Sequence, residues 1–349
     1  MSKGAILFKE IGIGKLLTLR SWHKAVLPHV RGFYVSRCLQ GLEICGCLDV
    51  LRKSGSLNVD KFIKQQGRET YNKEGIDSVC NYLYSIGIFD KKDEDFTLSK
   101  EGMKICLNRH GYFDFVHAYG PIFYELPALL MGEKVYRRDF SRNDRYVAKA
   151  TAEVSEWLPL PAIRHLIKKY HFKKVLDLGC GRGELLLSLA KSAELTTLHG
   201  IDIANDSIND GNKKIKELDL MNKVSLRIGD VEKPESFKDW LNSADVVTIM
   251  FVLHEFLRNG EIYLVNFLKN IKALSGSQTA ILIAETPKQE SEKIRKHPTS
   301  IAEHHLFHSL SQQGILDIEK IRQIVGKAGL RVIEDIHFSK FSQHYILVK

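Results

Sequence analysis

The stretch Val175-Leu176-Asp177-Leu178, running straight into Gly179-Cys180-Gly181-Arg182-Gly183, constrains this chain more than any other. An apolar run with one acid reads as a buried strand, and the glycines after it let the backbone turn tightly and admit a ligand where a Cβ would block it. The following residues, Gly183 to Lys191, carry the apolar spacing of a helix. A dinucleotide turn would need Gly-x-Gly-x-x-Gly, but Glu184 stands where the third glycine belongs. The signature is therefore Gly-x-Gly-x-Gly preceded by an acid.

The surrounding rhythm agrees. Lys173–Leu178, Leu195–Ile203, Lys223–Ile228, Ala244–Phe251 and Thr279–Glu285 read as strands rich in Val, Ile and Leu, with helices such as Glu261–Leu274 in the gaps. Such alternation predicts a parallel sheet covered on both faces. Leu330–Phe338 and Gln343–Val348 lie close enough to pair as a terminal hairpin, which makes seven strands. The expected class is α/β: a Rossmann-like, mainly parallel sheet.

Upstream the pattern differs. Helical spacing covers Ser36–Leu51, Val59–Gln66 and Lys73–Ile86, and Phe89–Leu98 encloses the charged turn Lys91-Lys92-Asp93-Glu94-Asp95. Three short helices and a charged hairpin predict a winged helix. Tyr112–Leu130 is crowded with aromatics and reads either as helix core or as a pocket wall, and Asp144–Trp157 reads as a further helix. Pro159 and Pro161 mark a boundary. The expected domains are 1–160, a helical winged-helix, dimerisation and substrate-lid domain, and 161–349, the cofactor-binding domain. A length of 349 residues suits two domains.

Composition excludes other classes. Apolar residues make up 44% and charged residues 27%, the balance of a globular protein. The longest apolar stretch, Val246–Leu253, falls far short of the roughly 18 residues of a membrane span. Met1–Leu27 lacks a cleavage site and reads as part of the mature protein and a dimerisation arm; a membrane-surface helix is the minority reading. The six cysteines follow no disulfide framework, which predicts reduced thiols in a cytoplasmic protein, and Cys45 and Cys47 lie within a helical pattern where packing is their expected role. The formal charge is +9, yet Lys213, Lys214, Lys216 and Lys223 form no dense block, and the presumed recognition helix pairs Lys73 with Glu74 and Asp77. Neither nucleic acid nor membrane is an expected partner, and a DNA-binding regulator is the most remote of the functional classes.

Asp202 closes the second strand, 23 residues beyond Gly179, where a ribose presents its hydroxyls, and Asp230 follows Gly229 at the end of the third. With these features the sequence resembles the class I S-adenosylmethionine-dependent methyltransferases across the second domain. The resemblance implies that Gly179 and Gly181 pass beside the methionine part of the cofactor, that Asp202 holds the ribose, and that Asp230 and Val231 frame the adenine. Asp177, Ile203 and Met250 complete the expected cofactor pocket.

The fourth strand ends at His254-Glu255, where an imidazole can take a proton from a nucleophile. Here the chain resembles the small-molecule O-methyltransferases with an N-terminal winged-helix dimerisation domain, which carry His-Asp at this point and use the His as general base. Glu255 replaces the Asp, and Glu285 at the end of the fifth strand matches the first acid that orients the base. Around Ser311-Gln312-Gln313-Gly314 there are amides where the second acid would stand. Glu303-His304-His305-Leu306-Phe307-His308 adds three histidines in five residues. One reading leaves them exposed or satisfied in the core. The sharper one joins one of them to His254 and Glu255 as ligands of a transition metal such as Fe or Zn, with His304 and His305 preferred. That arrangement resembles the α-keto acid C-methyltransferases, such as the phenylpyruvate and 2-ketoarginine enzymes. The expected function is metal-assisted C-methylation of an α-keto acid in specialised metabolism. The alternative is metal-independent O- or N-methylation with His254 as base. Phe115, Tyr119, Phe123, Tyr124 and Trp157 are candidate apolar walls, and Arg138, Arg142 and Arg145 candidate carboxylate anchors.

Overall fold

The computed structural model describes residues 12–67, 71–107, 111–157 and 159–349, and the chain divides into two compact units at His117/Ala118. Met1 to Ile11, the beginning of the expected dimerisation arm, lie outside the described residues.

In the first unit a long helix, Ile13–Ile44, is followed by a short one, Cys47–Ser54. The single helix expected over Ser36–Leu51 is thus broken, because Gly46 between them sits at φ +88°, a left-handed conformation that ends one helix and starts the next. Helices Val59–Gln66, Lys73–Ser85 and Lys100–Cys106 each begin at a side-chain cap: Asn58 accepts from the Lys61 amide, Asn72 from that of Gly75, and Ser99 from that of Gly102. Strands β1 (Leu57–Asn58), β2 (Phe89–Lys92) and β3 (Asp95–Leu98) form an antiparallel sheet in the order β1-β3-β2, so the charged hairpin is present. Leu39, Leu51, Phe62, Leu83, Phe89 and Phe96 fill the core of this unit.

The second unit begins earlier than the prolines suggest. Pro159 and Pro161 stand in the first turn of helix Pro159–Lys169, where the missing amide hydrogen costs little. Leu160, Ile163, Leu166 and Ile167 of that helix are buried in this unit's core. Residues 118–157 belong to the same body, tied in by an Arg142 to Glu255 ion pair and by stacking of Tyr119 on Phe307. The aromatic stretch Tyr112–Leu130 forms three short helices, Tyr112–Ala118, Gly120–Tyr124 and Leu126–Leu130, the last two with a proline in the first turn.

The sheet has the seven strands read from the sequence: β4 (Lys174–Leu178), β5 (Thr197–Asp202), β6 (Val224–Ile228), β7 (Val246–Met250), β8 (Ala280–Glu285), β9 (Val332–Phe338) and β10 (Gln343–Val348). Their order is β6-β5-β4-β7-β8-β10-β9. The first five run parallel, while β10 pairs antiparallel with both β8 and β9, as a terminal hairpin should. All six residues of β8 are buried, and an apolar core lies on each face of the sheet. The winding direction changes between β4 and β7. At such a switch point the two connections leave in opposite directions and open a crevice at the carboxyl ends of the strands. Among the described residues no helix is long and apolar enough to cross a membrane.

Candidate active site

The glycine turn lies at that crevice. Gly179, Gly181 and Gly183 all have positive φ, at 74°, 55° and 77°, and the amides of Gly179 and Cys180 both donate to the Ile201 carbonyl of β5, at 2.8 and 3.0 Å. A Cβ on Gly179 would stand 2.5 Å from Cγ2 of Val252, just beyond β7. The turn and the end of β7 are therefore in contact, and only a bare backbone fits between them.

Asp202 sits at the rim, with Oδ2 accepting from the Gly181 amide and Oδ1 from that of Ala204, both at 2.8 Å. Its carboxylate thus anchors the glycine turn to the end of β5. Asp230 accepts from the Glu232 amide at 3.0 Å and pairs with Lys233 at 3.4 Å, with Val231 buried beside it. Ile203 is exposed at the rim, and Met250 ends β7 half-buried. Asp177 lies deeper than a ligand-facing role requires. It is 3% exposed and accepts from Thr248 Oγ1 on β7 at 2.6 Å, so it joins two strands beneath the turn. Burial pushes its carboxyl up to about 7.

Beyond β7 the chain bends at Phe251, a non-glycine residue at φ +55°, a conformation that surrounding structure must enforce. The bend delivers helix Leu253–Phe256 to the mouth of the crevice. Glu285, 3% exposed at the end of β8, receives that helix: its Oε1 accepts from the Leu253 amide at 2.9 Å and its Oε2 from His254 Nδ1 at 3.0 Å. With a carboxyl oxygen as its partner Nδ1 donates, and in the neutral ring Nε2 then carries the lone pair. Burial would depress the His254 pKa, but the charge and hydrogen bond of Glu285 outweigh it and leave the group above its ordinary value.

Glu255 lies on the other side of the ring, with Oε1 at 3.9 Å from His254 Nε2. That oxygen accepts from Arg142 Nη2 at 2.8 Å and from Gln313 Nε2 at 2.5 Å, and Oε2 faces Arg137 at 3.6 Å. Burial disfavours its charge, yet Arg142, His254 and Arg137 together more than compensate and hold the carboxyl below its ordinary range. Gln313 stands among the amides noted where a second orienting acid would be, and Ser311 Oγ fixes it by donating to Oε1 at 2.7 Å. It holds Glu255. That role is invisible in the sequence because the partners are 58 positions apart. Arg137 too was missed for want of any local signal.

Helix Ile301–Leu310 carries the histidine cluster. Residues four apart share a face, and His304 and His308 pack at 3.9 Å between ring centroids, with His308 at 4.9 Å from His254. His308 Nδ1 donates to the His304 carbonyl at 2.8 Å, and His304 Nδ1 is buried without a hydrogen-bond partner. Burial, reinforced by His254, takes His304 down to about 3, and burial lowers His308 as well. His305, expected beside His304 as a ligand, points off this face and accepts from the Gln289 amide at 3.4 Å. His308 rather than His305 therefore shares the His304 face and lies beside His254, since consecutive helical residues diverge by about 100°. Among the described residues no three His, Cys, Asp or Glu side chains form a ready ligand set.

Tyr119 stacks on Phe307 with centroids 4.0 Å apart, and its hydroxyl accepts from Arg142 Nη1 at 3.3 Å. Tyr124 and Trp157 are exposed. Arg138 is paired with Asp139, and Arg145 is exposed. Phe115 belongs to the first unit.

A glycine turn at a sheet switch point, closed by a rim acid, with a carboxylate-bonded imidazole just beyond the neighbouring strand, is the arrangement of a nucleotide-cofactor site. Residues 171–329 match a family model described as a methyltransferase domain. The 2-ketoarginine methyltransferase of Streptomyces arginensis is 23% identical over 315 residues, 88% of each chain. Among solved structures, human N-acetylserotonin methyltransferase in complex with S-adenosylmethionine aligns with a TM-score of 0.67 at 16% identity, over 94% of this chain and 97% of that one. The mitomycin 7-O-methyltransferase MmcR aligns with a TM-score of 0.67 at 14% identity, over 96% and 99%. The chain is an S-adenosylmethionine-dependent methyltransferase of Rossmann-like fold with an N-terminal helical domain.

Proposed function

We propose that the methyl acceptor is a small molecule of specialised metabolism, an α-keto acid methylated on the carbon beside its keto group. The observation that carries the reading is the hydrogen bond from His254 Nδ1 to the buried Glu285. It frees Nε2 to take a proton from that carbon, while Glu285 stabilises the imidazolium that results. The electron pair left on carbon attacks the methyl carbon of the sulfonium, whose C–S bond breaks to leave a neutral thioether. Arg142 and Arg137, beside Glu255, add positive charge near the developing enolate. The likeness to an enzyme named for 2-ketoarginine supports the acceptor class.

A metal-assisted form is favoured by one observation, the buried and unpartnered Nδ1 of His304. With the lone pairs of His254 and His308 and the carboxylate of Glu255, the donor set fits a transition metal in kind. In that form His254 is a ligand and no longer the free base, and side chains of all four residues would have to draw together around the ion, since no three of them form a ready set as they stand. When bound, such an ion supplies Lewis-acid stabilisation of an enolate. The experiment is an assay of purified chain with S-adenosylmethionine, a panel of α-keto acids and a panel of phenols, with mass spectrometry of products and metal analysis of the protein. Keto acids gaining a methyl on carbon support the reading. Methylation of phenols alone replaces it with O-methylation by the same base. Copurified metal, lost in His304→Ala together with activity, assigns the metal-assisted form.

A further inference from the structure

In the first unit Cys45 and Cys47 flank Gly46 at the break between helices Ile13–Ile44 and Cys47–Ser54, and their Sγ atoms are 3.3 Å apart. Cys47 is fully buried among Leu39, Leu42, Leu48 and Leu51, whereas Cys45 is partly exposed. Gly46 sits at φ +88° with open space where a Cβ would be. The neighbouring Tyr71 hydroxyl donates to the Cys45 carbonyl at 3.1 Å and fixes one end of the break.

Buried thiols are ordinarily inert. Cys80 and Cys106 obey that rule, pushed up to about 12 and about 11 by burial. Cys45 departs from it. The hydrogen bond it shares with Cys47 holds its thiol below the ordinary value, and of the two sulfurs it is the more exposed. A thiolate with a second thiol in contact is the arrangement of a redox-sensitive pair.

We propose that Cys45 and Cys47 form an oxidisable dithiol that hydrogen peroxide closes to an intramolecular disulfide. The Cys45 thiolate attacks one peroxide oxygen; the O–O bond breaks, leaving a sulfenic acid and hydroxide. The Cys47 sulfur then attacks the Cys45 sulfur, the S–S bond forms and the S–O bond breaks. The departing hydroxyl leaves as water with the Cys47 proton. Two thiols are oxidised by two electrons, and one peroxide is reduced to two waters. The sulfurs must close from 3.3 Å to about 2.05 Å. With a single residue between the cysteines the ring is tight, which makes the bond readily reducible rather than permanent.

The test uses the full chain. After mild peroxide treatment and quenching with iodoacetamide, the tryptic peptide Cys38–Arg52 is mapped by mass spectrometry. The expected form is alkylated on Cys38 only, with the Cys45–Cys47 segment about 2 Da lighter than the dithiol and restored by dithiothreitol. Cys80 and Cys106 should be unoxidised at the same dose. Recovery of Cys45 and Cys47 both alkylated would overturn the proposal, as would a bond from Cys45 to Cys38 or Cys80. In Cys47→Ser the second step is blocked, and dimedone should trap the Cys45 sulfenic acid. The wild-type map decides the question even if that variant fails to fold.

Discussion

His254 concentrates the chemistry because three separate devices act on one ring: the Glu285 acceptor fixes the proton on Nδ1, Glu255 lies 3.9 Å from Nε2, and the histidine pair of helix Ile301–Leu310 closes the side. Replacing it with Asn should lower kcat by about 10²- to 10⁴-fold, the usual worth of a positioned base, while calorimetric binding of S-adenosylmethionine holds. Full turnover in that variant would move the base elsewhere. Asp177 offers a different test. Its folded pKa of about 7 lies above the ordinary 3.8, because burial penalises its charge. The native state therefore holds a proton that the unfolded state has lost between those values. Its stabilising contribution is complete below pH 3.8 and is lost as pH rises toward 7. Urea midpoints at pH 5 and pH 8 should show wild type losing stability across that window and Asp177→Asn losing less. Equal losses in both proteins would show that Asp177 titrates normally. Residue types at these positions were legible in sequence, but their contacts were not: Asp177, expected in the cofactor pocket, bonds Thr248 under the turn.

Elements carry the cofactor geometry. The glycine turn works only because β4 and β7 emerge side by side, and Val252 fills the space a side chain on Gly179 would need. Gly179→Ala should abolish measurable S-adenosylmethionine binding, and adding Val252→Ala should recover part of it by removing the 2.5 Å clash. Full recovery is not expected, since φ of +74° still costs about 1 kcal/mol for a residue with a Cβ. Unimpaired binding in the single variant would show that the turn relaxes freely. Strands and caps were readable because alternation of strand with helix, and Asn or Ser at a helix start, are local signals. The break at Gly46 was not, since apolar spacing continues across it and a single glycine inside a helical pattern is often tolerated.

At the scale of the whole molecule, the long helix Ile13–Ile44 exposes Leu17, Leu19, Trp22, Leu27, Val30 and Phe33. Apolar surface of that extent is what a symmetric partner covers. Light scattering should give a mass of about 80 kDa, twice the 39.8 kDa chain, falling to that of one chain in Leu17→Asp/Phe33→Asp. A wild-type monomer at micromolar concentration would refute the expected homodimer.

The sequence by itself determined the seven strands, the glycine turn and the acids and imidazole at its strand ends, because each depends on spacing within a few residues and a parallel sheet brings strand ends together in any case. Tertiary structure decided the rest. It drew 118–157 into the second unit, set Gln313 and Arg142 on Glu255, and put His308 rather than His305 beside His254. The contacts on Glu255 alone bring faces together across 58 and 113 positions of chain, and side-chain packing, which no local periodicity encodes, settles such outcomes.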